Sequence, residues 1–193
     1  MKPEKQFERD FTRRMNPYPV IETPRLRLRK VFRADVDDLL KATEDARVTK
    51  YEPWGPYDRD ETVQMVENIQ AQLESGLCTE WAVERKEDAR VLGLIHLNKI
   101  DFFHRSAEVG YWLARACWGQ GYATECLKAL TVYGLETLRM DEIVAVCHPD
   151  NAASLRVLEK AGYRYQKTLP AYISLRGNTA DCLQYHITRW DLL

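Results

Sequence analysis

Long hydrophobic runs are missing from this 193-residue chain, and so is any strong imbalance of charge. No apolar stretch approaches the ~18 residues of a membrane-spanning helix, and the first residues lack the apolar core of a secretion signal. Lys and Arg number 28 against 29 Asp and Glu, a net charge of −1, so no global field points to nucleic acid or an acidic membrane. The five cysteines (Cys78, Cys117, Cys126, Cys147, Cys182) are odd in number and include no Cys-x-x-Cys pair. That pattern supports neither a disulfide framework nor a zinc site. The four histidines are scattered, and none sits beside another ligand type at metal spacing, so no metal is expected. The expectation is a reduced, cytoplasmic protein without direct nucleic acid or membrane contact. No stretch supplies Gly-x-x-x-x-Gly-Lys-Ser/Thr, which excludes a Walker-type loop. A three-glycine dinucleotide fingerprint in an early strand–helix–strand unit is equally missing.

What is present suits one domain. The chain is long enough to bury a real core, and a hydrophobic fraction of 45% with 30% charged residues is that of an ordinary globular protein. Neither an internal repeat nor a low-complexity linker interrupts it. Residues 1–19 are polar, carry charges of both signs and end in Asn16-Pro17-Tyr18-Pro19. They read as an N-terminal arm or short appended helix, leaving 20–193 as the main domain. In Thr23-Pro24-Arg25-Leu26-Arg27-Leu28-Arg29 basic and apolar residues alternate, the period of a half-buried strand at or near a sheet edge. Its arginines form the wet face or, alternatively, a phosphate contact.

Helical spacing follows over 34–45 and 60–75, the second stopped by Gly76. Between them lies an aromatic, proline-rich loop with Tyr51, Trp54 and Tyr57, which suits either a substrate wall or a lid on the core. Strands are expected over 79–84 and 91–103, split by a charged turn, then over 107–113, 142–147, 163–167 and 182–189. Helices are expected over 122–138 and 152–161, the latter ended by Gly162. The order is strand, two helices, three strands, helix, strand, helix, two strands: an α/β fold on a mixed sheet.

Two stretches carry chemistry. In the first, Trp118-Gly119-Gln120-Gly121-Tyr122-Ala123-Thr124-Glu125 joins the 107–113 strand to the 122–138 helix. Glycines there permit a sharp turn and a close backbone approach. The first helical turn leaves N–H groups without intrahelical partners, where the helix dipole favours negative charge. A phosphate or pyrophosphate suits such a cradle, the alternative being a glycine-rich turn with no ligand. In the second, Cys147-His148-Pro149-Asp150-Asn151-Ala152-Ala153-Ser154 leads to Leu158-Glu159-Lys160-Ala161-Gly162-Tyr163. Asn151 there is also a good helix N-cap in its own right.

Trp118 to Ala123 resembles the acyl-CoA loop of the GNAT N-acetyltransferases, Gln/Arg-x-x-Gly-x-Gly/Ala, with Trp118 in place of the usual Gln or Arg. The second stretch resembles the same family's Asn-x-x-Ser … Glu-Lys-x-Gly-Phe/Tyr block. The Trp-Gly-x-Gly-Tyr-Ala-Thr-Glu run and the early Thr-x-Arg-Leu-x-Leu-Arg are similar to the RimJ/RimL-like branch, the ribosomal-protein N-terminal acetyltransferases. The resemblance spans about 25–190 and implies the GNAT acyl-CoA N-acyltransferase fold, a central mixed twisted sheet with helices on both faces.

It further implies acetyl-CoA as cosubstrate, lying between the 107–113 and 142–147 strands where they splay apart. Backbone groups of Trp112, Leu113 and Ala114 would meet its pantetheine. Those of Gly119, Gln120, Gly121, Tyr122, Ala123 and Thr124 would hold its pyrophosphate, and Asn151 would contact it. Ser154 would serve the leaving thiolate, although as a bare residue it also suits a helix-surface hydroxyl.

The implied reaction is acetyl transfer to a primary amine, most simply the α-amine of a ribosomal or other protein N-terminus, by a monomer or homodimer. Neutralising a lysine side chain at pH 7 costs roughly 4–5 kcal/mol, an α-amine only about 1–1.5 kcal/mol. The easier acceptor suits a chain without an obvious strong base. Alternatives are a small-molecule or antibiotic acetyltransferase, or a non-catalytic acyl-CoA-binding module. Glu108, sharing a strand face with Gly110 and Trp112, is the candidate base or else one side of a cross-strand ion pair with an arginine. Glu80 and Asp181 are weaker candidates, and a water relay to a carboxylate would also serve.

Overall fold

Chain order runs α1 (Pro3–Arg14), β1 (Ile21–Glu22), β2 (Leu26–Arg29), α2 (Val36–Thr43), α3 (Arg59–Glu74), β3 (Glu80–Arg85), β4 (Val91–Asp101) and β5 (Ser106–Leu113). Then come α4 (Tyr122–Val132), β6 (Glu142–Cys147), α5 (Ala152–Ala161), β7 (Arg164–Leu175) and β8 (Asn178–Thr188). This is a computed structural model that describes residues 2–74 and 79–192; the expected helix stop at Gly76, and Cys78, lie outside the described residues.

The strands form one sheet in the order β1-β2-β3-β4-β5-β6-β8-β7. Every neighbouring pair is antiparallel except β5 and β6, which run parallel and are joined through α4. A parallel pair needs such a crossover, and here it turns at the glycine loop. Trp54, between α2 and α3, packs against Trp112 on one sheet face. Tyr111, which points the other way by strand alternation, meets Ser154 of α5. Helices thus cover both faces, as expected. Leu26, Leu28, Trp81, Ile95, Leu127 and Leu130 are among the fully buried side chains between the layers.

Most element bounds follow the sequence pattern, and the departures have physical causes. Residues 122–137 are helical, but the α-helix yields to a π turn over Tyr133–Thr137, with Leu138 N–H reaching the Tyr133 carbonyl. The last hairpin is far longer than its apolar residues indicate. β7 is exposed along nearly its whole length, so no alternation marks it. Near the N-terminus, α1 buries Phe7 and Phe11, whose rings lie 6.2 and 5.6 Å from that of Phe102.

The arginines of β2 and the turn before it are not simply a wet face. Arg29 is largely buried between Asp35 and Glu84, and Arg27 pairs with Glu22 and Glu84. Arg25 reaches across to the glycine loop.

Candidate functional site

The glycine loop owes its shape to backbone geometry. Gly121 is the N-cap of α4 at φ +82°, a left-handed conformation that a β-carbon penalises. The first intrahelical bond runs from Glu125 N–H to the Gly121 carbonyl at 3.0 Å. The N–H groups of Tyr122, Ala123 and Thr124 precede it and have no helical acceptor. Arg25 braces the loop from outside. Its Nε donates to Glu125 Oε2 at 2.6 Å, its Nη1 to the Gln120 carbonyl at 3.0 Å, and its guanidinium lies 4.4 Å from the centre of the Tyr122 ring. Glu125 also accepts from Thr23 Oγ1 and from Arg25 N–H, and these bonds hold its carboxyl below the usual range. Trp118 anchors the other side, its indole N–H donating to the Leu113 carbonyl at 2.8 Å.

The sheet opens beside this loop. β5 and β6 pair only from Ser106↔Glu142 to Val109↔Ala145, although β5 runs on to Leu113 and β6 to Cys147. The gap continues into a cleft of about 1710 Å³ that reaches from the glycine loop to α1. Trp112, Leu113, Gly119, Gly121, Tyr122, Ala123, Thr124, Asn151 and Ser154 all line it. Ala114 and Gln120 do not. Ala114 N–H is taken by the Leu92 carbonyl and its own carbonyl by Cys117 N–H, while the Gln120 side chain donates to the Ala116 carbonyl.

Asn151 is the N-cap of α5, accepting Ser154 N–H on Oδ1 at 3.2 Å. Ser154 Oγ lies 2.9 Å from Tyr111 Oη, so a serine on α5 and a tyrosine on β5 are hydrogen-bonded across the gap. Burial pushes the Tyr111 phenol well above its usual range, and the nearby Cys147 thiol up to about 11. Both remain protonated at neutral pH.

Glu108 lines the same cleft on the opposite strand face. Its carboxylate holds Lys99 Nζ at 3.0 and 3.1 Å and accepts the Tyr172 hydroxyl at 2.9 Å. The expected cross-strand ion pair is therefore present, with a lysine rather than an arginine. Tyr172 also contacts the Lys99 ammonium through its hydroxyl and presents its ring at 4.7 Å. Register shifts in β4 and β7 put the two residues there.

Two residue pairs further along β4 and β5, the His96 ring lies over Gly110, where a β-carbon would come within 2.3 Å of Nε2. Burial pushes His96 down to about 4 against the opposing pull of Glu108, so the imidazole is neutral. Glu80, its cross-strand neighbour, lines the cleft and is shifted upward by burial. Asp181 does not line it; its carboxylate accepts Ala171 N–H at 2.8 Å and supports the irregular part of β7.

The aromatic loop walls the cleft without closing a pocket. Tyr51 and Trp54 line it and Tyr57 does not; Trp54 lies 5.2 Å from Tyr57 and 5.4 Å from Trp112. Sequence reasoning missed Tyr111, His96, Lys99, Tyr172 and the brace of Arg25. For Tyr111 a signal existed, namely strand alternation opposite Glu108. For the others, contact depends on strand register that no local pattern reveals. Among the described residues no cluster of His, Cys, Asp or Glu could hold a metal, and no helix is long and apolar enough to cross a membrane.

A family model described as an acetyltransferase (GNAT) domain matches residues 25–164. An uncharacterized N-acetyltransferase, p20 of Bacillus licheniformis, is 30% identical over 168 residues, 86% of this chain and 94% of its own. The ribosomal-protein-serine acetyltransferase of Escherichia coli is 33% identical over 78 residues, 40% of this chain and 43% of its own. Among solved structures, a GNAT-family acetyltransferase from Bacillus anthracis superposes with a TM-score of 0.81 at 26% identity, covering 89% of this chain and 99% of that one.

Proposed function

The chain belongs to the GNAT acetyltransferase family, and from that premise we propose that its acceptor is the α-amine of a protein N-terminus, as in the ribosomal-protein branch. The protein is an acetyl-CoA-dependent N-acetyltransferase. Its residues fit that cosubstrate: the partnerless amides at the start of α4 face the cleft, and Arg115, Arg156 and Lys160 line it with them. When bound, acetyl-CoA supplies the activated acetyl group. Everything else falls to the chain.

In this reading the amides of Gly119 to Thr124 bind the pyrophosphate, and the unpaired ends of β5 and β6 receive the pantetheine. Asn151 fixes the start of α5 with its carbonyl oxygen, and its amide N–H groups would donate to the cosubstrate. Ser154 protonates the departing sulfur, with Tyr111 behind it as a second neutral hydroxyl. Neither hydroxyl needs to ionise, since each acts only as thiolate charge develops.

One observation carries the acceptor assignment: from the glycine loop and Ser154 the cleft continues, open, to Glu8 and Phe11 of α1. Glu8, Glu52, Glu80 and Glu108 line it together with Arg47, Lys50 and Lys99, which offers charges of both signs to an extended N-terminal segment. The test is incubation with acetyl-CoA and a panel of N-terminal peptides, polyamines and aminoglycosides, followed by mass spectrometry. Acetylation at the α-amine of at least one peptide is expected. Turnover confined to polyamines or aminoglycosides would overturn the acceptor assignment while leaving the acetyltransferase intact.

A further inference from the structure

We propose that Glu52 is the general base that takes the proton of the acceptor ammonium. It sits on the connection between α2 and α3, and separate contacts fix that segment over the parting of β5 and β6. Tyr51 Oη donates to the Asp150 carbonyl at 3.0 Å, and its ring stacks on His148 at 4.9 Å. Arg176 donates to the carbonyls of Lys50 at 3.2 Å and Thr49 at 3.4 Å. Trp54 packs edge-on against Trp112. Glu52 thereby lines the cleft along with Ser154 and lies close enough to Cys147 to act on its thiol electrostatically.

Of the other acid–base groups of the cleft, Glu108 and His96 are less suited. Both oxygens of Glu108 are engaged by the Lys99 ammonium. His96, held at about 4, is too weak a base for an amine. Glu52 is partly buried, accepts a hydrogen bond from Trp54, and is pushed by burial up to about 7. An α-amine titrates at about 7.7–8.0, so the transfer from ammonium to this carboxylate is nearly balanced. That match rests on the α-amine acceptor proposed above.

In the step, one N–H proton of the acceptor ammonium moves to Glu52, and the freed nitrogen pair attacks the acetyl carbon. The C–N bond forms and the C–S bond breaks, with the electron pair leaving on sulfur. Sulfur receives a proton through Ser154, which regains one from the amine nitrogen. Glu52 returns its proton to water.

Charged and titratable groups share this part of the cleft on every side. Arg47 and Lys50 flank Glu52 on its own segment, while Cys147, His148 and Asp150 come from the end of β6 and the turn beyond. β5 contributes Tyr111 and Glu108, and Arg176 approaches from the β7–β8 turn. Among these, none is an ion-pair partner for Glu52 at salt-bridge distance in the described residues, and the upward shift comes from burial.

The experiment compares wild type, Glu52→Gln, Glu52→Asp and Glu80→Gln from pH 5.5 to 9, on whichever acceptor the peptide panel identifies. That choice keeps a failed acceptor assignment distinct from a failed base. For Glu52→Gln, kcat/KM at pH 7.5 is expected to fall roughly 10²–10⁴-fold, with loss of the acidic limb near pH 7 and unchanged acetyl-CoA affinity. Glu52→Asp should restore part of the rate and the limb, whereas Glu80→Gln, at the acceptor wall, should raise acceptor KM and keep the limb.

A second measurement does not depend on activity. The folded state holds the Glu52 proton more tightly than the unfolded state, so the carboxyl costs stability increasingly as pH rises from about 4.5 to about 7. Glu52→Gln should therefore melt higher than wild type at pH 8, with a smaller difference at pH 5. A folded Glu52→Gln enzyme with wild-type kcat/KM and an intact acidic limb would overturn the assignment, as would loss of the limb in Glu80→Gln alone.

Discussion

The two ends of the cleft are made of different material. At the glycine loop the polar groups are main-chain amides, set by the conformation of Gly121 and the first turn of α4. At the far end they are side chains brought from β3, β4, β5 and β7: Glu80, His96 and Lys99, Glu108, and Tyr172. A main-chain site is specified within a few consecutive residues, and its chemistry is the same whatever else varies. A side-chain site is specified by strand register and by irregularities in it, so it can change acceptor without disturbing the loop. The family resemblance accordingly lives at the first end, and selectivity is expected at the second.

Among variants that compare the two ends, the largest effect should come where they meet. Ser154 and Tyr111 share a hydrogen bond across the opening between α5 and β5. Ser154→Ala should keep acetyl-CoA affinity and lose turnover, by roughly ten- to a thousandfold in kcat. Because Tyr111 stands behind it, the double variant with Tyr111→Phe should lie clearly below the single one, measured by steady-state rates beside calorimetry. Full turnover in a folded Ser154→Ala enzyme would remove serine from the thiolate step.

Gly121→Val tests the main-chain end alone. The residue sits at φ +82°, and an added β-carbon would lie 3.4 Å from Arg25 Nη2. The penalty comes chiefly from the backbone, which must leave the left-handed region and turn its amides away. Acetyl-CoA affinity should fall by about tenfold or more, as loss of several charge-assisted bonds implies. Arg25→Ala, which removes the brace but not the amides, should lose less. Equal losses in acceptor KM would show that the two ends are not separable.

This contrast also explains what could be read from the chain. The loop 118–125 and the Asn151–Ser154 turn are local, and strand and helix order followed from period and turn residues. The lysine partner of Glu108 was not legible, because Lys99 reaches it only through a register shift in β4. Tyr172 was still less so, lying on an exposed strand beyond the 163–167 segment that its apolar pattern supports. Glu52 stood in a loop recognisable as a possible wall, but nothing local distinguishes a cleft-facing carboxylate from a solvated one. Ala114 fell inside the expected set by position in the strand, and only its engaged backbone groups show why it does not line the cleft.

His96 offers a test of the side-chain end that needs no substrate. Its folded value of about 4 lies below the ordinary 6.5, so the unfolded chain binds the extra proton first as pH falls. Its contribution is present above pH 6.5 and is lost between about 6.5 and 4. Wild type should lose on the order of 1–3 kcal/mol more than His96→Gln over that window, read from urea unfolding at several pH values. An unchanged slope would mean that the imidazole is not desolvated as its place over Gly110 implies. Gly110→Ala, by displacing the ring, should weaken the same dependence.

The smallest effect, and the one that most sharpens the comparison, concerns Tyr172→Phe. The hydroxyl donates to Glu108 at 2.9 Å and contacts the Lys99 ammonium, while the ring lies over that ammonium at 4.7 Å. Phenylalanine keeps the ring and removes the hydroxyl, leaving the Glu108–Lys99 pair at 3.0 Å in place. Because the site is open to water, the lost bond is worth about 0.5–1.5 kcal/mol, or roughly two- to twelvefold. If the far end receives the acceptor, that factor should appear in acceptor KM with acetyl-CoA affinity unchanged. Lys99→Met, which frees the carboxylate, should change acceptor preference toward cationic termini in a competition between neutral and basic peptides. A Tyr172→Phe enzyme altered in acetyl-CoA affinity but not in acceptor KM would place this cluster on the cosubstrate side and dissolve the division between the two ends.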